Sequence, residues 1–157
     1  MKTVYFDSTI LSYLYDERPE IEFLVRATKE WWATERLNFA GFLSAETLRE
    51  LGDGEYPRKN LIMQEALKIR SLPIDKDIID TARFYVQNYL MPKEEGGDAL
   101  HLAVASHHKI DYLLSWNYSH LVNDNKRRHI RVLNDKLKLT TPVIITPLEL
   151  RFVGGDE

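Results

Sequence analysis

Short β-forming runs alternate along this chain with stretches of helical periodicity, and that alternation is its strongest constraint. Thr3, Val4, Tyr5 and Phe6 form a first run of β-branched and aromatic residues, which suit a pleated, buried surface. "FAGFLS" at 39–44, "YLLSW" at 112–116 and "PVIIT" at 142–146 have the same character. Between these runs, apolar residues recur at helical spacing over 10–15, 19 to about 36, 45–51, 58–71, 75–90, 98–108 and 123–138. Pro147 opens a final short helix. In the 75–90 segment, Ile78, Ile79, Ala82, Tyr85, Val86 and Tyr89 mark the buried face. Pro92 and "EEGG" read as a loop. Strands alternating with helices predict an α/β domain around a mostly parallel sheet. A chain of 157 residues suits one such domain, spanning 1–157.

Composition removes several classes of function. There is no cysteine, which excludes disulfides and thiolate metal sites and fits a reducing cytoplasm. No run approaches the roughly 20 apolar residues of a membrane span. The N-terminus opens directly on strand-like residues, so no signal peptide is expected. A net charge of −3 gives no global attraction for nucleic acid, so any such partner must meet a local basic patch.

Ligands of an open parallel sheet bind outside the carboxyl ends of its strands. Asp7 follows the first strand. Glu46 and Glu50 lie on the helix after the second, where Ser44 is a fair N-cap. Asp98 opens the helix before "YLLSW", and Ser115 and Asn117 end that strand. Each has an ordinary structural reading. Asp7 and Asp98 can be helix caps, and the face shared by Glu46, Glu50 and Asp53 can be a solvated one. Taken together, four distant segments deliver acids or an amide to one edge. Carboxylates gathered there repel one another unless a cation joins them. Oxygen donors alone suit Mg²⁺ or Mn²⁺, and such an ion activates water and stabilises charge on phosphate.

Three stretches carry a resemblance: "VYFDSTILSYL", "SAETLREL" and "GGDALHLAVASHHKIDYLLSWNYSHL". With "PVIITPLEL" they resemble a PIN domain and, within it, a VapC-type toxin ribonuclease of a toxin–antitoxin pair. That resemblance implies a three-layer α/β/α fold and a Mg²⁺-dependent endoribonuclease site. Asp7 matches the first acid of the family. Glu50, six residues after Ser44, matches the second, with Glu46 as the alternative on the same helical face. Asp98 matches the third. Many members carry a fourth aspartate two residues after a Ser or Thr at the end of the fourth strand. Here the residues are Ser115, Trp116 and Asn117, so one well-bound ion is expected, with a second arriving only with RNA phosphate.

By the same resemblance, Asp7, Glu50 and Asp98 hold the ion, and Glu50 takes a proton from the attacking water. Asn117 and Ser115 position water or phosphate. From their own positions, Ser8 and Thr9, beside Asp7, are expected to touch the substrate backbone, and His120, just past Asn117, is expected at the site rim. A cognate antitoxin and a homodimer are the implied partners. Lys126, Arg127, Arg128 and Arg131 form a local basic patch, read either as phosphate attraction or as a solvated helix face. His101, three residues after Asp98, is read first as a satisfied core histidine and second as a residue that orients a carboxylate. The alternative function is a PIN fold that holds RNA or protein without cutting. Receiver domains and aspartate-nucleophile phosphatases fit less well, because only one acid follows the first strand.

Overall fold

The computed structural model describes residues 1–88, 90–92 and 97–153. Tyr89 and residues 93–96, which include most of "EEGG", lie outside them. Five strands form one sheet: β1 (Thr3–Phe6), β2 (Ala40–Ser44), β3 (Arg70–Leu72), β4 (Tyr112–Leu114) and β5 (Val143–Ile145). Their order is β3-β2-β1-β4-β5. Every neighbouring pair is parallel. Among the described residues, seven α-helices supply the crossovers and the flanking layers: α1 (Ser8–Tyr13), α2 (Glu22–Thr34), α3 (Ala45–Gly52), α4 (Lys59–Leu67), α5 (Lys76–Gln87), α6 (Asp98–His107) and α7 (Asp124–Lys136).

The inner strands β1, β2 and β4 read as continuous apolar runs because helices cover both faces of the sheet there. Side chains alternate between faces along a strand, and so do the two cores. Tyr5, Leu113 and Ile144 join Tyr85, Leu102, Ile130 and Leu133 from α5, α6 and α7. Val4, Phe6, Leu43 and Leu114 join Ile10, Leu11, Trp31, Leu51 and Ile62 from α1 to α4. The result is three layers, helices on sheet on helices. Adjacent helical residues cannot be equally deep, and accordingly Trp31 is fully buried while Trp32 is only partly so. The Trp31 indole donates to the Leu150 carbonyl at 2.9 Å, which ties the chain's end to α2.

Three expected elements differ. The helix expected over 58–71 stops at Leu67, and Arg70–Leu72 instead pair with Phe42–Ser44 as an edge strand. Three mostly exposed residues carry almost no β signature; backbone pairing alone makes them a strand. The helix expected from Pro147 is a single turn. Glu149 N and Leu150 N bond the Thr146 carbonyl, and the Glu149 carboxylate accepts from the Thr146 hydroxyl at 3.0 Å. The helix expected over 10–15 begins earlier, at Ser8, because the Asp7 side chain caps it.

Asn134 on α7 is a buried polar joint. It accepts from the Tyr85 hydroxyl at 2.5 Å and donates to the Ser106 and Thr141 hydroxyls, each at 3.1 Å. Burial pushes the Tyr85 phenol up to about 12. Asn134→Leu strands these hydroxyls in an apolar setting and should cost about 2–3 kcal/mol of stability, read by urea denaturation. A loss below about 0.5 kcal/mol would show that the joint is not needed.

Candidate active site at the carboxyl edge of the sheet

β1 and β4 are neighbours, and their register sets Phe6 beside Leu114. The next residues, Asp7 and Ser115, therefore meet at the carboxyl edge. Asp7 is 2% exposed. One carboxylate oxygen accepts from the Thr9 amide at 3.0 Å and the Thr9 hydroxyl at 2.5 Å, which caps α1. The other accepts from the Ser115 hydroxyl at 2.5 Å. Ser115 Oγ in turn accepts from the Asn117 amide at 2.9 Å. The Asn117 side chain donates to Asp98 at 2.7 Å and accepts from the His120 backbone at 3.0 Å. One chain of hydrogen bonds thus runs from Asp7 through Ser115 and Asn117 to Asp98 at the start of α6.

Glu50 arrives from α3. Ser44 ends β2 and caps this helix in a reciprocal box with Thr47, which fixes the helix direction. The Glu50 carboxylate meets His101 Nε2 at 2.5 Å, and His101 Nδ1 meets the Tyr5 hydroxyl at 2.6 Å. Tyr5 also bonds Ser44 Oγ at 2.7 Å. His101 is 1% exposed, so it is a core residue that also orients a carboxylate. Glu46 shares the face but is clamped by Arg49, whose Nε and guanidinium nitrogen lie 2.6 and 2.9 Å from its two oxygens. The chain passes close to both glutamates at Gly97. A Cβ there would stand 2.8 Å from an oxygen of each.

The electrostatics follow from burial and neighbours. Burial pushes the Asp7 carboxyl above the usual range; His101, Ser115 and Thr9 oppose this without cancelling it, and the Glu50 charge adds to it. Burial also pulls Glu50 upward, but the His101 bond and charge, the Ser8 hydroxyl and Arg49 outweigh it and hold Glu50 below the usual range. Burial disfavours a charged His101 ring, yet the Tyr5 oxygen, Glu50 and Asp7 together hold it well above an ordinary histidine. A protonated His101 donates from both nitrogens, to Glu50 and to Tyr5, and the phenol passes its own hydrogen to Ser44.

This donor set fits a hard divalent cation by its chemistry. Its acids offer oxygen only, and Asp7 carries buried charge that its neighbours leave partly uncompensated. Among the described residues, no three acidic or histidine side chains surround a common point. Both Asp7 oxygens already accept from protein donors, so the set suits an ion that keeps several of its waters.

The remaining expected residues fall as follows. Thr9 Oγ1 accepts from the Trp116 amide at 3.1 Å, and Ser8 lies beside Glu50. Arg127 fastens α7 to β5 through the Ile144 carbonyl, at 3.1 and 2.8 Å, and also meets Asp124. Lys126 bonds the Leu90 carbonyl. Arg128 and Arg131 stay exposed. Sequence reasoning missed Tyr5 and Gly97. The signal for Tyr5 was its position two before Asp7, on the same face of β1.

No family model and no curated protein matches the chain. Among solved structures, one match is to a chain of the crystal structure of VapBC2 from Rickettsia felis bound to a DNA fragment from their promoter. It covers 92% of this chain and 98% of that one, at 14% identity and a TM-score of 0.49.

Because the folded state raises the Asp7 pKa, its charge opposes folding at pH values above that raised value. The penalty fades as pH falls through the folded pKa towards the unfolded one. Asparagine caps a helix as well as aspartate does. Asp7→Asn should therefore raise the metal-free unfolding midpoint at pH 7, with the gain shrinking towards pH 4. A midpoint lowered at pH 7 would contradict this assignment of charge.

Proposed function

We propose that the chain is a metal-dependent endoribonuclease that hydrolyses RNA phosphodiester bonds, and that it serves as the toxin of a toxin–antitoxin pair. The observation that carries the hydrolytic reading is the hydrogen-bonded chain from Asp7, just after β1, through Ser115 and Asn117 to Asp98 on α6, with Glu50 of α3 beside it against Ser8 and His101. The toxin role, the cognate antitoxin, the homodimer and a cytoplasmic setting rest on the resemblance of the motifs to VapC-type PIN domains.

In this reading Asp7, Glu50 and Asp98 hold Mg²⁺ or Mn²⁺, which when bound lowers the pKa of water and offsets charge on the phosphate. The protein's own groups do the rest. Ser115 and Thr9 fix the Asp7 carboxylate, and Asn117 fixes Asp98. Glu50 is the carboxylate assigned to the proton of the attacking water; its lowered pKa keeps it ionised and also makes it a weaker base than an ordinary carboxylate. His101 keeps that carboxylate oriented and supplies positive charge behind it. Exposed Arg128 and Arg131 are suited to draw the RNA backbone, whereas Arg127 is held by Ile144.

A second reading, a PIN fold that binds RNA or protein without cutting, is favoured by Asn117, which adds no charge where an aspartate would. The two readings separate in one experiment. Purified protein should cleave RNA with Mg²⁺, stop with EDTA and recover when the ion returns. Asp98→Asn and Glu50→Gln should each lower the rate by roughly 100-fold or more. Mn²⁺ at about ten times its dissociation constant should stabilise the wild type by about 1.4 kcal/mol. RNA binding without metal-dependent cleavage would establish the second reading instead.

A further inference from the structure

Beside Glu50 the edge opens into a cleft of about 720 Å³. Ser8 and Thr9 of α1 and Glu50 of α3 belong to both the cleft and the candidate site, so the two are continuous. Its apolar floor includes Leu51 and Ile62, which are 3% and 2% exposed. Tyr15 and Tyr56 contribute aromatic walls, and the Tyr56 hydroxyl is fastened to the Leu51 carbonyl. The volume suits a small flat ligand, and aromatic side chains beside a nuclease centre suit a base.

The charges in the cleft select which part of an RNA enters. Asp16 holds the Arg18 guanidinium at 2.8 Å, Glu17 holds Arg58 at 2.7 Å, and Glu50 holds His101. Asp53 also lines the cleft, is exposed, and lends its charge to nearby Arg49. With Asp16, Glu17 and Glu50 each paired to a cation, the cleft offers a phosphate little net attraction and Asp53 opposes it, whereas a neutral base meets no such charge. An ionised carboxylate only accepts hydrogen bonds, so it matches a base edge with adjacent donors. Guanine offers that pair, N1–H and the N2 amine. Adenine and cytosine offer one amine beside an acceptor, and uracil's one N–H lies between two carbonyls. We infer that this cleft seats a guanine base next to the scissile phosphate, with Asp53 reading its Watson–Crick edge and Tyr15 and Tyr56 walling its faces. The inference rests on the ribonuclease reading above and names the base that such a site would select.

Two measurements test it. The first maps cut positions on a mixed-sequence RNA with Mg²⁺, using wild type, Asp53→Asn and Tyr15→Ala. Guanine should recur at one fixed position beside the cut. Asp53→Asn should reduce the guanine-over-adenine preference by about tenfold or more, and inosine, which lacks the N2 amine, should reduce it similarly in wild type. Tyr15→Ala should raise KM about tenfold. The second measures binding of labelled pentaribonucleotides, differing only in the central base, with EDTA present. The guanine pentamer should bind most tightly to wild type and lose that advantage in Asp53→Asn. Cleavage with no fixed base, or with a preference unchanged by both substitutions, overturns the guanine cleft and leaves the ribonuclease reading standing. Displacement of the bound pentamer by an arginine-rich peptide without any base preference also overturns it. A wild type that cuts no RNA overturns the ribonuclease reading, and the metal-free binding then decides the cleft by itself.

Discussion

The hydrogen bond between Asp7 and Ser115 joins the ends of the two strands on which the site depends. β1 is the middle strand of five, and β4 lies directly beside it. Their register brings Asp7 to Ser115, and a slip of one residue would send one of these side chains to the opposite face. From Ser115 the connection continues through Asn117 to Asp98, so the start of α6 is located by the end of β4. Asp7 also caps α1. Its structural and chemical roles use the same carboxylate, which is why neither reading of this residue excludes the other.

The second support lies one layer deeper. Tyr5, two residues before Asp7 on the same face of β1, reaches both Ser44 at the end of β2 and His101 on α6. His101 then holds Glu50. A buried imidazolium behind the acidic edge balances part of the charge that Asp7 and Glu50 place there. That balance lets two carboxylates share the edge in a folded chain, while burial still holds the Asp7 carboxyl above its usual range.

Much of this was legible in the sequence, for identifiable reasons. The inner strands announce themselves because both faces are covered, so β1, β2 and β4 read as apolar runs; β5 does so by its β-branched residues, although Val143 on this edge strand is exposed. Ser44 and Asp98 stand at helix starts, where short polar residues carry a strong local signal. β3 was not legible, because Arg70, Ser71 and Leu72 are an edge held by backbone bonds rather than by side-chain burial. Arg127 could not be told from its basic neighbours, since its attachment to the Ile144 carbonyl is a contact between distant segments. The Tyr5–His101–Glu50 chain was legible only in part: His101 could be read as orienting a carboxylate, but no spacing rule joins residues 5, 50 and 101.

The central claim is that Asp7, Glu50 and Asp98 make one cation site. Crystals of the protein soaked in millimolar Mn²⁺ test it directly through the anomalous signal of the ion. The account predicts a peak at the carboxyl edge, bonded directly or through water to these three carboxylates, and its loss in Asp98→Asn. A Mn²⁺ peak elsewhere, or an acidic edge that stays free of the ion while His101 alone neutralises it, would contradict the account.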